Sequence, residues 1–287
     1  MRSSDGRGTM PNLMEKEEFN KMNTYGIILV GVGGTGSFVM GDLARYIASA
    51  SPSIKRSVSV VLADGDIVED KNRSRQLYFS EDIGRNKADC LAQAINDAYE
   101  LDVLSSGKYI DNVDDVESLV EAAETQLCGR VGNFERSVIP VIVSCVDNVP
   151  ARRILEKYFQ CQDTCIYIDA GNGFSTGQCI FATKDKGVVI SPARDFYGFQ
   201  FEEDISTQKS RTESSCEELN NVAPQHMVTN RWAANTILSA VFQLLEGQGV
   251  VRGFTSFDAF KGTSTHALPE GFGFEMAKSE KKAQKRS

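Results

Sequence analysis

The chain has 287 residues, 41% of them apolar, enough to bury a sizeable core as one large domain or a domain with an embellishment. Its formal charge of -8, from 39 acidic and 31 basic side chains, argues against nucleic acid as its main partner. No apolar run reaches the roughly 18 residues of a transmembrane helix, and MRSSDGRGTMPNLMEKEEFN lacks the apolar stretch of a secretory signal, so cytoplasmic residence is expected. Seven scattered cysteines fit a reducing compartment.

Residues 1–24 read as a loose arm. YGIILV (25–30), a short apolar run bounded by glycine, predicts a buried strand, and the glycine turn GVGGTGS (31–37) follows it. Phe38, Leu43, Ala44, Ile47 and Ala48 recur at helical spacing, and Ser51-Pro52 marks that helix's end, because proline cannot continue the hydrogen-bond ladder. SVSVVLA (57–63) predicts the second strand of a βαβ unit. The segment after it, DGDIVEDKNRSRQLYF (64–79), is polar and dense in charge, and it leaves the strand edge where ligands of parallel sheets collect.

A helix is expected over 87–100, a third strand over KYIDNV (108–113) and a helix over 114–127. IPVIVSCV (139–146) is the most continuous buried-strand pattern, and a helix follows from Val149 with Pro150 in its first turn. Residues 165–183 read as two strands around a glycine-containing turn, and 195–220 as a polar crossover loop. A long helix over 227–247 has His226 capping or packing at its start; a final strand over 251–260 precedes a basic, solvated tail at 261–287. This alternation predicts the α/β class: a Rossmann-like three-layer sandwich with a mostly parallel sheet extended by C-terminal strands. Residues 25–260 are expected to form a single domain.

The glycine turn does not fit a P-loop, since no lysine follows Gly36. It satisfies GxGxxG through Gly31, Gly33 and Gly36, and the additional Gly34 lets the backbone approach a ligand closely. Asp64 ends the second strand, where a dinucleotide site holds ribose hydroxyls. An NAD(P)-dependent oxidoreductase is therefore one alternative, and a non-catalytic nucleotide-binding partner protein of the same fold is another. Hydride transfer has no use for Asn72, Arg73, Arg75, Gln76 and Lys87 beside the phosphates, whereas a reaction on a triphosphate does: cations cancel charge on phosphoryl oxygens and amides orient them. Asp147, beyond the strongest strand, is placed to hold Mg²⁺ against those oxygens. Gln76 ranks lower, as a possible loop anchor, Arg73 has a surface reading, and Asp66 has a second reading as a cap of its own turn.

GVGGTGS, ADGDIVEDKNRSRQ, GRNKAD and SCVDN, in this order, resemble the adenylating domain of the ThiF/MoeB/E1 family, which activates ubiquitin-like and sulfur-carrier proteins. The resemblance covers about residues 20–250, and the size and terse C-terminal half are most similar to the ThiF-type component of the PRTRC gene system. It implies that Gly31, Gly33, Gly34 and Gly36 hold the phosphates of ATP and Asp64 the ribose, with Asp66 beside it. It implies that Asn72, Arg75, Gln76 and Lys87 meet the phosphates, Arg75 and Lys87 catalytically, and that Asp147 handles Mg²⁺. The implied reaction is attack by the C-terminal glycine carboxylate of a small β-grasp protein on the α-phosphorus, giving an acyl-adenylate and pyrophosphate. A homodimer is implied as well, with neither nucleic acid nor a membrane as partner.

The chain departs from that family in two places. Many relatives carry two CxxC pairs around a structural zinc; here Cys161 and Cys165 are spaced CxxxC with no second pair, and no structural zinc is expected. Cys90, Cys145 and Cys179 read as buried small hydrophobes. Cys216, in SSCEELNNVAP, is similar to a cysteine that some relatives use to take the activated carboxylate as a thioester; an ordinary loop cysteine is its other reading. Relatives often lend an arginine from the partner subunit's N-terminal helix, and here the arm offers Arg2 and Arg7.

Overall fold

The apolar run that follows Asn23 forms β1 (Thr24–Val30), buried along its whole length and so covered on both faces. The computed structural model describes residues 23–131, 138–193, 225–247 and 253–267; the arm with Arg2 and Arg7, the crossover segment with Cys216 and the chain after Ala267 lie outside them. β1 pairs in parallel with β2 (Val58–Ala63) and β4 (Val138–Ser144), so Ile28 lies opposite both Val61 and Ile142. β3 (Leu104–Ser106) extends this parallel half beside β2, and β5 (Cys165–Asn172) extends it beside β4.

From β5 onward the pairing turns antiparallel, through β6 (Thr176–Asp185), β8 (Phe254–Asp258) and β9 (Thr263–Ala267), with β7 (Val188–Ser191) on β6. Among the described residues the strand order is β3-β2-β1-β4-β5-β6-β8-β9. The sheet is thus mixed, with a parallel half extended by C-terminal strands, and helices on both faces make a three-layer sandwich.

Strand alternation divides the core in two. Ile27 and Leu29 face α1 (Gly34–Ser49), α3 (Lys87–Tyr99) and α6 (Met227–Leu245), packing with Leu43, Leu91 and Ile237. Ile28 and Val30 face α4 (Val113–Val131) and α5 (Val149–Cys161), packing with Val116 and Leu155. No helix among the described residues is long and apolar enough to cross a membrane.

Three elements differ from the sequence expectation. Pro52 does not only end a helix: Ser51 accepts from the Ile54 N–H and Pro52 opens the short α2 (Pro52–Ser57), since proline's missing donor costs nothing in a first turn. KYIDNV is not a strand. The third strand is the shorter β3, and the Asp115 carboxylate accepts the N–H groups of Asp111 and Asn112 while Asn112 Oδ1 accepts from Asp115, which turns the chain into α4. Thr263–Ala267, expected in the tail, is β9; His266 Nδ1 lies 2.8 Å from Thr255 Oγ1 across that ladder.

Candidate functional site

The glycine turn is laced between two strand ends: Gly31 N–H donates to Ala63 O at 2.8 Å and Cys145 N–H to Val30 O at 2.8 Å. Gly31 has φ of +84° and lies so close to the Cys145 carbonyl that a side chain has no room. A Cβ on Gly36 would overlap the carbonyl oxygen of Gly31, so this glycine closes the turn on itself. Gly34 was expected to make room for ligand, but the Asn230 amide of α6 fills the space above it. Gly33 is the open one, its nearest neighbour across that space being Gln76 Nε2 at 3.7 Å. α1 begins here with no side-chain cap and no acidic residue in its first turn, leaving orphan N–H donors at the positive end of the helix dipole.

The charged segment after β2 returns onto this turn. Tyr78 Oη donates to Val32 O at 2.7 Å, and Leu77 N–H donates to Ser37 Oγ at 3.3 Å. Burial pushes the Tyr78 phenol far above its ordinary pKa, so it stays a donor. These bonds bring Gln76 over Gly33 and leave its Oε1 buried without a hydrogen-bond partner among the described residues. Arg75, half-buried at the end of a 3-10 turn, makes no ion pair among the described residues. Asn72 is buried, and its Oδ1 accepts from the Glu69 N–H at 2.8 Å, an anchoring bond for the same turn. Arg73 is a surface residue paired with Asp70 at 2.7 Å.

Asp64 accepts from the N–H groups of Val32 at 2.8 Å and Asp66 at 2.9 Å, joining the glycine turn to the loop after β2. Burial is the main cause that raises its pKa; Lys87 opposes the shift and Asp66 adds to it. The Asp66 carboxylate reaches two other segments: one oxygen takes Lys87 Nζ at 2.8 Å and the other takes Tyr109 Oη at 2.7 Å. Lys87, the first residue of α3, is buried and held by that pair.

Asp147 is exposed just past β4, and Asn148 caps α5 by accepting from the Ala151 N–H at 2.9 Å. Arg152 of α5 fixes the backbone on either side, donating to Val146 O at 2.6 Å and Ala170 O at 2.7 Å. Its other arm meets Asp169 at 2.8 Å, and Asp169 takes the Ser144 hydroxyl at 2.7 Å. Asp147 and Arg152 open onto a cleft of about 710 Å³, lined also by Asn172, Gly177, Gln225 and Asp258.

Sequence reasoning missed a polar cluster linking that cleft to the turn. Asn172 Nδ2 donates to Thr35 Oγ1 at 2.7 Å and to Asn230 Oδ1 at 3.2 Å, and Gln225 Nε2 donates to Asn172 O at 3.2 Å. Its members come from three distant segments, so no local motif announces it; Arg152, an inward-facing arginine in an amphipathic helix, was the one legible signal. His226 caps α6 as expected, Nδ1 accepting from the Val228 N–H at 3.2 Å.

The donor set suits a nucleotide triphosphate: uncapped helix N–H groups, an amide over Gly33 and a guanidinium with no ion-pair partner among the described residues. No group of three or more His, Cys, Asp or Glu among the described residues is built to hold a metal by itself. A single carboxylate such as Asp147 suffices for Mg²⁺, which takes its other ligands from phosphates and water. Cys161 is exposed at the end of α5, whereas Cys165 is buried in the second core.

A sequence model of the ThiF family matches residues 6–271. The chain belongs to the ThiF family. Curated relatives include ubiquitin-like modifier-activating enzyme 5 of Oryza sativa subsp. japonica, 27% identical over 141 residues, covering 49% of this chain and 31% of the relative. The Aedes aegypti protein of the same name is 26% identical over 136 residues, covering 47% and 31%. The matches therefore span about a third of each curated relative's length. Among solved structures, E. coli MccB with ATP superposes with a TM-score of 0.54 at 16% identity, covering 88% of this chain and 65% of that one. A selenomethionine form of PaaA does so with a TM-score of 0.57 at 16% identity, covering 88% and 74%. These likenesses place the sheet order and helix layers above within the ThiF-family fold.

Proposed function

We propose that the chain is an E1-like adenylating enzyme: it activates the C-terminal glycine carboxylate of a small ubiquitin-like or sulfur-carrier protein with ATP. The observation that carries this reading is the return of residues 72–78 onto the glycine turn, tied by Tyr78 to Val32 and by Leu77 to Ser37. A dinucleotide oxidoreductase has no use for a segment carrying Arg75 that is brought back onto that turn with Gln76 over Gly33. Membership of the ThiF family supports the reading, as do the names of the relatives.

In this reading the α1 N–H groups and Gln76 orient the phosphates, and Arg75 screens the approach of a carboxylate to the anionic α-phosphorus. A preorganised donor of this kind contributes about 3 kcal/mol to the transition state. Asp64 accepts from the ribose, and Lys87 reaches the phosphates by exchanging its Asp66 partner. Asp147 would be the carboxylate that holds Mg²⁺, which would supply charge neutralisation for the leaving pyrophosphate. The carrier tail occupies the cleft beside Asp147, which Gly173, Gln178 and Gln225 also line. One carboxylate oxygen forms the bond to the α-phosphorus as the α–β phosphoanhydride bond breaks.

Three further parts belong to this proposal. The Cys216 thiolate attacks the adenylated carbonyl, the acyl–phosphate bond breaks and AMP leaves, giving a thioester. The protein acts as a homodimer, a reading supported by the exposed Ile67, Leu77, Phe79 and Ile83 between β2 and α3. Cytoplasmic residence is supported by the scattered cysteines.

The test is direct trapping. Incubation with Mg-ATP labelled at the α-phosphate and a β-grasp carrier ending in glycine should leave acid-recoverable label on the carrier. A carrier lacking the final glycine should remain unlabelled, and absence of label from both overturns the reading.

A further inference from the structure

We propose that Tyr109 is the stacking platform for the purine base of the bound nucleotide, an inference that rests on the ATP reading above. Because β3 pairs in parallel with β2, the chain after Ser106 leaves the sheet at the same edge as Asp64, and Asp64 N–H donates to Ser106 O at 3.2 Å. Tyr109 therefore stands beside the carboxylate that is to hold the ribose. A base attached to that ribose needs a flat surface in this neighbourhood.

The ring is held at both ends. A Cβ on Gly65 would overlap three adjacent ring atoms of Tyr109, so the ring lies face-on against the Gly65 backbone, and glycine is required there. At the far end Oη donates to Asp66 Oδ1 at 2.7 Å, and Asp66 is itself fixed by Lys87 Nζ at 2.8 Å. Asn86 braces the surrounding loops: its Nδ2 donates to Asp64 O at 2.8 Å and Asp66 O at 3.1 Å, and its side chain packs against Gly107.

Despite these restraints the residue is 47% exposed. The ring is thus restrained at both ends while part of its surface remains exposed. Immobilisation before binding removes the ordering cost that a mobile side chain would impose on a ligand. Stacking on a tyrosine face tolerates any base but requires one, because the attraction is to the π-surface and not to hydrogen-bonding edges. Tyr109 is thus expected to contribute to the affinity of nucleosides and nucleotides and to contribute nothing to bare phosphates.

The experiment compares ATP, inorganic tripolyphosphate and 1,N6-ethenoATP on the full chain and on Tyr109→Ser and Tyr109→Phe, by calorimetry and by ethenoadenosine fluorescence. Tyr109→Ser should weaken ATP about tenfold and leave tripolyphosphate unchanged. Tyr109→Phe keeps the ring and should stay within about threefold of wild type, showing that the loss follows the π-surface and not the Asp66 bond. Wild-type binding should quench ethenoadenosine emission, and Tyr109→Ser should relieve the quenching at saturating ligand. Unchanged ATP affinity in Tyr109→Ser, or an equal loss for ATP and tripolyphosphate, overturns the platform. Absence of ATP binding by the wild type would instead remove the nucleotide reading itself, so the two failures are distinguishable.

Discussion

The amide of Asn230 fills the space that a side chain at Gly34 would need. Asn230 is fully buried, and its Oδ1 accepts from Asn172, so it cannot withdraw without breaking the cluster that joins α1, β5 and α6. Gly34→Ala should destabilise the fold by about 1–3 kcal/mol through overpacking, measured by urea denaturation. In an Asn230→Ala background the same substitution should cost much less, because the two residues share one contact. Equal costs in both backgrounds would contradict the packing assigned to Gly34.

Asp64 is predicted to make both stability and nucleotide affinity depend on pH. Its pKa in the folded chain is raised above the ordinary 3.8, chiefly by burial. The fold therefore favours its protonated form, and its contribution to stability is fully present below 3.8 and lost as pH rises through the raised value. The stability of Asp64→Asn relative to wild type should accordingly improve over that same window, measured by denaturation at a series of pH values. Nucleotide affinity should move the opposite way in the wild type, strengthening as Asp64 ionises to accept from ribose, and that pH dependence should vanish in Asp64→Asn.

The Arg152–Asp169 pair is buried, and each arm of the guanidinium has a partner. Arg152→Met leaves the Asp169 charge uncompensated and should cost about 3–5 kcal/mol. Arg152→Met combined with Asp169→Leu should cost less than the sum of the single changes, since each alone strands the other's polar groups. Thermal or urea unfolding of the four proteins measures this coupling directly.

Thiol reactivity should divide the cysteines sharply. Burial pushes the Cys145 thiol up to about 12 and raises Cys90, Cys165 and Cys179 as well. Cys128 and Cys161 are exposed. Iodoacetamide at about pH 8 should label these two in the native protein and reach the buried Cys90, Cys165 and Cys179 and the half-buried Cys145, whose thiol is held protonated, only after unfolding. The nucleophile proposed at Cys216 has its own readout: a thiol-labile conjugate with the carrier that disappears in Cys216→Ser, and whose persistence there would contradict the assignment.

The parallel half of the sheet was legible because its main strands are unbroken apolar runs and its helices repeat at helical period, as in Ile139–Val143 and Leu91–Ile95. β9 was hidden because all five of its residues are exposed, so TSTHA carries no alternation and its strand state comes from pairing with β8 alone. KYIDNV misled because Ile110 is buried in the second core from a loop, while the true β3 is only three residues long, two of them serines. Ser51-Pro52 carries two signals at once, a stop for one helix and a start for the next.

At the site, the glycines and Asp64 were legible because each is tied to a strand end. The pairing of Asp66 with Lys87 and Tyr109 was not, because its members come together only through the parallel placement of β3 beside β2. Asn172 and Asn230 meet Thr35 for a similar reason: β5 ends beside the glycine turn and α6 crosses α1, and neither relation is written in any one segment.

The central claim is that this glycine turn, with Gln76 over it, serves adenylation together with Arg75 and Asp147. Exchange of labelled pyrophosphate into ATP, dependent on a β-grasp carrier with a C-terminal glycine, tests it most directly in the wild type and in Asp147→Ala. The account predicts carrier-dependent exchange by the wild type and at least a hundredfold loss (on the order of 2.7 kcal/mol) in Asp147→Ala. Exchange that survives the substitution undiminished would contradict it.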